Sequence, residues 1–169
     1  VFRHDLYPAY KENRDPMPDD LRAQIPGVKR MLDAMGILCL ELQGFEADDI
    51  MATIAEQSDA RGNECYLVTS DKDCRQLLSE RVQMYNIRKD SLYDAESLLV
   101  DWGIRPDQVV EFQALVGDSV DNVPGVPQIG PKTARDLLQQ YEPTQHQHSI
   151  AEYPALQPEC HNCLLYTSD

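Results

Sequence analysis

Positive charge is scarce in this sequence. Its 15 lysines and arginines face 29 aspartates and glutamates, a formal charge of −14. Such a balance argues against a protein that holds nucleic acid by bulk electrostatic attraction. Long apolar runs are missing too: no stretch approaches the roughly 18 residues that cross a bilayer, so a membrane span is excluded. No apolar segment follows the basic residues of Val1-Phe2-Arg3-His4-Asp5, so these residues are not expected to be a signal peptide. Without an initiator methionine the chain is expected to begin inside a longer protein. Its five cysteines, odd in number and scattered among apolar segments, read as reduced thiols of a cytoplasmic protein rather than a disulfide framework. Cys160 and Cys163 have the spacing of a zinc half-site, but no second pair completes it.

What is present suffices for one domain with a sizeable core: 169 residues, 42% hydrophobic and 26% charged. Leu21, Ile25, Val28, Met31 and Leu32 recur at helical spacing between Pro18 and Gly36, which predicts a helix over 18–35. Further helices are expected at 47–60, 73–78, 95–102, 106–116 and 131–141. Apolar runs at 37–42, 65–69 and 82–87 read as strands. Strands separated by helices of this length predict an α/β domain, its mostly parallel sheet flanked by helices. Beyond residue 117 the texture turns to Gly, Pro, Asp and Asn. Residues 142–169 show no apolar period and read as an irregular tail of doubtful origin.

Three carboxylate groups stand at predicted strand or helix ends. Glu46, Asp48 and Asp49 open the helix at 47–60, where one acid would suit the helix dipole but three exceed what capping needs. Asp71 and Asp73 follow the apolar strand at 65–69, the edge at which open α/β sheets bind ligands, although a turn with an aspartate cap explains them equally well. Asp118 and Asp121 lie in a loop where such residues are ordinary. Together the three groups would repel one another unless cations neutralised them. Oxygen ligands without His or Cys suit Mg²⁺ or Mn²⁺ rather than zinc, and the glycine and ligand spacing of an EF-hand are absent. Two such ions form the usual clamp for phosphodiester cleavage. Lys11 and Arg14 stand three residues apart, which taken alone reads as a solvated basic face.

At these residues the sequence resembles the 5′ nuclease domain of bacterial DNA polymerase I, within the flap endonuclease superfamily. Four blocks carry the resemblance from Phe2 to Tyr141: Phe2-Arg3 through Tyr10-Lys11-Glu12-Asn13-Arg14 and Met17-Pro18; Gly44-Phe45-Glu46-Ala47-Asp48-Asp49; Ser70-Asp71-Lys72-Asp73; and Gly117-Asp118 through Lys132-Thr133-Ala134. The resemblance implies a PIN-like 5′ nuclease fold, with an α/β core over 1–116 and a DNA-binding helix–three-turn–helix over 117–141. It implies that Glu46, Asp48, Asp49, Asp71, Asp73, Asp118 and Asp121 hold two divalent cations. It places Tyr10, Lys11 and Arg14 on a helical segment over the active site that engages the scissile phosphate. Lys72, Gly125, Gln128, Gly130, Lys132 and Thr133 are implied to contact DNA, with a monovalent cation such as K⁺ in the hairpin. The implied activity is metal-dependent 5′-3′ exonuclease and flap endonuclease cleavage of flapped, nicked or gapped DNA in replication and repair. The resemblance leaves open an RNA primer as substrate and a polymerase domain in the parent chain.

Gln128 replaces the glycine usual at the hairpin's first tight position. Two acidic ligands of the family would precede Val1. The fragment is therefore expected to cleave weakly, and the alternative reading is a catalytically impaired, structure-specific DNA-binding fragment. An aspartate-nucleophile phosphatase is disfavoured, because Arg75 stands two residues after Asp73 where that group has Thr or Val.

Overall fold

The computed structural model describes residues 2–140. The tail at 142–169, the last residue of the helix expected at 131–141 and the Cys160–Cys163 half-site lie outside the described residues. In chain order the elements are α1 (Phe2–Leu6), α2 (Asp19–Ala34), α3 (Ala47–Ala60), β1 (Cys65–Leu67) and a 3₁₀ helix (Lys72–Leu77). There follow β2 (Val82–Asn86), β3 (Ser91–Tyr93), α4 (Ala95–Trp102), a 3₁₀ turn (Pro106–Gln108), α5 (Val109–Val116), β4 (Gly117–Asp118), β5 (Val123–Pro124) and α6 (Pro131–Gln140).

The fold is α/β, as the alternation predicts. Cys65 pairs with Val82 in a parallel ladder, and Met84 with Tyr93 in an antiparallel one, giving the order β1-β2-β3. The short strand β3 was not expected; it returns from β2 through a tight turn in which Asp90 has a positive φ of 47°. One core binds the layers: Met51 and Ala55 of α3, Leu67 of β1, Val82 and Met84 of β2, Leu98 of α4, Phe112 of α5, and Ala134 and Leu138 of α6. The hairpin-and-helix region after residue 117 thus shares its core with the sheet. Gln108, itself buried, donates its side-chain N–H to the Leu138 carbonyl at 2.9 Å, which ties α6 down. Gly103 ends α4 in the left-handed conformation, with φ 69°, against the stem of Arg135.

Two local expectations are corrected. Residues 37–42 are not a strand: they hold one isolated bridge at Leu38. Among the described residues the ladder of β1 runs toward β2, and an apolar run with a single bridge and no continuing ladder makes no strand. Residues 8–14 are not a helix. They form successive turns in which the N–H groups of Tyr10, Glu12 and Arg14 bond the carbonyls of Tyr7, Ala9 and Lys11 at 3.0, 3.2 and 3.1 Å. Pro8 lacks an N–H and Lys11 takes a left-handed φ of 56°, so no α-helical ladder can run through. Among the described residues, no helix is long and apolar enough to cross a membrane.

Candidate active site

Three element ends meet at one cleft of about 360 Å³, lined by Glu46, Asp48, Asp71, Asp73, Asp118 and Asp121 together with Lys11, Arg14 and Lys72. Helix α3 supplies the first group. Its start is set by Asp49, whose carboxylate accepts the Glu46 backbone N–H at 2.9 Å. The second group follows β1, where Asp71 caps the 3₁₀ helix by accepting the Asp73 N–H at 3.0 Å. The β4–β5 hairpin supplies the third, with Asp118 accepting the Val120 N–H at 2.9 Å. The segment at 9–14 is laid over it by Lys11 N–H to the Asp121 carbonyl (3.0 Å), Asn13 to the Ser119 carbonyl (2.9 Å) and Asn122 to the Ala9 carbonyl (2.7 Å).

Basic side chains hold most of these acids. Arg3 grips Asp49 with two bonds of 2.8 and 2.6 Å. Lys11 meets Glu46 at 3.0 Å, Arg14 meets Asp121 at 2.5 Å, and Lys72 meets Asp118 at 3.0 Å. The buried Tyr10 hydroxyl lies between Glu46 (3.1 Å) and Asp121 (3.2 Å) and can give its single proton to either. Burial, and then the charges of those two carboxylates, push the Tyr10 phenol far above its ordinary range, so it stays a donor.

Asp73, Asp118 and Asp121 each turn an oxygen to within 4.8 Å of the others. Burial raises the Asp73 carboxyl above its usual range; Gln113, donating at 2.5 Å, opposes this, and the charges of Asp71 and Asp118 add to it. Asp118 behaves in the opposite way: burial would raise it, but Lys72 and the Val120 amide outweigh that and hold it low. Asp49 follows the same pattern, with Arg3 and the Glu46 amide overcoming burial. A carboxylate whose ionisation is opposed by burial and by like charges is one that a bound cation would relieve. With oxygen donors alone, the residues fit a hard divalent ion.

The expected residues therefore divide. Six of the seven acids, with Lys11, Arg14 and Lys72, line the cleft. Asp49 does not; its carboxylate is taken up by Arg3 and the helix start. Tyr10 does not line the cleft, but its hydroxyl meets Glu46 and Asp121, which do. Gly125, Gln128, Gly130, Lys132 and Thr133 do not line the cleft. Gly125 packs against the backbone of Val116 and Gly117, while Gln128 adopts a φ of 68°, the conformation for which a glycine is the easier residue. Lys132 and Thr133 are exposed in the first turn of α6. Sequence reasoning passed over Arg3 as a site residue, and with it Gln113, Asn13 and Asn122. Arg3 had a signal, lying in the first block of the resemblance. Gln113, a neutral residue within a helix, had none.

Residues 1–103 match the family described as 5′-3′ exonuclease, N-terminal resolvase-like domain, and residues 104–157 match 5′-3′ exonuclease, C-terminal SAM fold. The DNA polymerase I of Rhizobium leguminosarum is 47% identical over 141 residues, which cover 83% of this chain and 14% of that protein. A 5′-3′ exonuclease of Aquifex aeolicus is 42% identical over 139 residues, 82% of this chain and 48% of that protein. The chain thus spans from a seventh to about half of the relatives it matches. Among solved structures, the bacteriophage T5 D15 protein co-crystallised with metal ions superposes with a TM-score of 0.70 at 24% identity, over 83% of this chain and 57% of that one. A T5 5′-exonuclease with divalent zinc bound follows at 0.69 and 24%, over 83% and 56%. With both family descriptions matched in order across the cleft and the helices beyond it, the chain belongs to the 5′-3′ exonuclease family.

Proposed function

We propose that this chain carries the centre of a divalent-metal-dependent 5′-3′ exonuclease and flap endonuclease that hydrolyses phosphodiester bonds in flapped, nicked or gapped DNA. The observation that carries the reading is the convergence of three separate carboxylate groups with Lys11 and Arg14 in one cleft. Asp73, Asp118 and Asp121 would hold one Mg²⁺ or Mn²⁺, and Glu46, Asp48 and Asp71 would contribute to a second. When bound, such ions supply an activated water and stabilise the leaving oxygen. The protein's own part is positioning. Lys11 and Arg14 project into the cleft from one rigidly bonded turn and can grip the oxygens of one phosphate. Tyr10, held as a donor, keeps the Glu46 and Asp121 carboxylates in place. The hairpin with Gly125, Gln128 and Gly130, and the α6 N-terminus with Lys132 and Thr133, would turn backbone N–H groups to duplex phosphates without reading bases. A K⁺ ion in that hairpin, an RNA primer as substrate, a polymerase domain in the parent protein and a cytoplasmic location belong to the same reading. One T5 relative was crystallised with DNA and metal ions, which supports it.

The second reading, structure-specific DNA binding with weak turnover, has one observation in its favour. Glu46 is already engaged by Tyr10 and Lys11, and among the described residues one group of three acids closes to within 4.8 Å. Single-turnover cleavage of a 5′-flap duplex in Mn²⁺ decides. Cleavage abolished by Asp118→Asn supports the nuclease; binding of intact flap DNA without any cleavage supports the second reading and overturns the first.

A further inference from the structure

Lys72 stands between two cavities. On one side it lines the acidic cleft, and on the other an adjoining cavity of about 290 Å³ with Asp101, Trp102, Phe112, Pro131 and Arg135. Its ammonium lies 3.0 Å from Asp118, yet its side chain is 40% exposed against 11% for that carboxylate. The stem is therefore free to turn, while the acid stays where the hairpin fixes it. Asp118 is also one of the three acids drawn together with Asp73 and Asp121. An ammonium 3.0 Å from one oxygen of Asp118 and a divalent cation on the same carboxylate would repel each other strongly.

We propose that Lys72 is an exchangeable counter-ion and positioning residue of the cleft. It neutralises Asp118 in the free protein, gives up that carboxylate to a divalent cation, and turns into the adjoining cavity beside Asp101 and Trp102. There, with Arg135, it presents positive charge to a phosphate of the substrate strand next to the cleft. Three features agree with this. The cavity it would enter holds an acid, Asp101, that suits an ammonium, beside Trp102, whose ring already lies against the Arg75 guanidinium and Phe112. Lysine, unlike arginine, is a compact charge on a flexible stem and makes no forked grip that would resist the exchange. Metal and DNA binding become mutually favourable, because releasing Lys72 to the metal's advantage releases it to the phosphate's advantage as well.

The proposal rests on the acidic cleft being a divalent-cation site, and its test separates the two. Trp102 is the single tryptophan of the sequence, so its emission reports an ammonium arriving in the cavity. The full chain is titrated with Mg²⁺ by calorimetry and by tryptophan fluorescence, alongside Lys72→Met and Lys72→Arg. The wild type is expected to bind Mg²⁺ with a matching change in emission. Lys72→Met is expected to bind about two- to fivefold more tightly, the range for an ion pair with one exposed partner, and to lose most of the emission change. Lys72→Arg is expected to bind no more tightly than wild type and to keep an emission change, a rescue that also stands if Lys72→Met fails to fold. Tightening without loss of the emission change overturns the exchange, and so does equal or weaker binding by a folded Lys72→Met. A wild-type chain that takes up no Mg²⁺ overturns the metal site itself, and the exchange with it.

Discussion

Gly125→Ala separates a packing role from a DNA-contacting one. A Cβ at Gly125 would lie 2.3 Å from the backbone C and O of Val116 and 2.6 Å from the Gly117 N, all of it main chain with no side chain to swing aside. Gly117 meets Gly125 in the same way from the opposite strand, at 2.3 Å. Relieving the contact to the 3.0 Å that real Cβ atoms respect takes a separation of at least 0.7 Å. That shift would stretch the adjacent bond from Val126 N–H to the Leu115 carbonyl, now 2.8 Å, to about 3.5 Å, beyond a useful hydrogen bond. One lost backbone bond at about 1 kcal/mol and overpacking at about 1–3 kcal/mol give a cost of about 2–4 kcal/mol. Because β4 carries Asp118 and the loop after it carries Asp121, Mg²⁺ affinity should fall with stability. Urea unfolding in EDTA measures the first and calorimetry the second. An unchanged urea midpoint with Mg²⁺ binding intact and flap binding lost would refute the packing argument and leave Gly125 a DNA-contacting role alone.

Lys11→Ala and Arg14→Ala should each slow single-turnover cleavage of a flap substrate by about 10²–10³-fold, as loss of a charged transition-state contact does, and weaken DNA binding far less; equal losses in both would mark a plain electrostatic surface. Asp73→Asn should raise the melting temperature in EDTA and shrink the stabilisation by Mg²⁺ to less than about half. The sign follows from its raised folded-state pKa, since stability present below the ordinary carboxyl range is lost as pH rises through the folded value, and the amide removes that loss. A melting temperature lowered in EDTA would refute this.

Elements with a strong local signal were legible in the sequence. Helix α3 runs over the expected residues because Asp48 and Asp49 open it and Gly62 lies past its end. Helix α4 is as clearly marked, by the Asp94 cap and by Gly103. The failures came where structure depends on a partner distant in sequence. Residues 37–42 have the composition of a strand and no ladder. The turn at 8–14 has the spacing of a helix face, yet it is held by Ser119, Asp121 and Asn122 of the β4–β5 loop. Lys11 and Arg14 still reach one cleft, which shows that their shared target, and not a helix, fixes their relation.

The same dependence explains why bulk charge misleads. A formal charge of −14 counts every carboxylate alike, but the structure gathers Arg3, Lys11, Arg14 and Lys72 onto Asp49, Glu46, Asp121 and Asp118. Partners in these pairs lie from 35 to 107 residues apart, so no local window of sequence reveals them. The consequence is chemical. Charge that is negative in sum becomes, at the cleft, alternating acid and base held at about 3 Å, able to accept a cation and a phosphate together. On the proposed reading, an acidic protein of this kind needs no basic surface to act on DNA: cations bound in the cleft and the few basic side chains placed there would supply the attraction where the bond is cut.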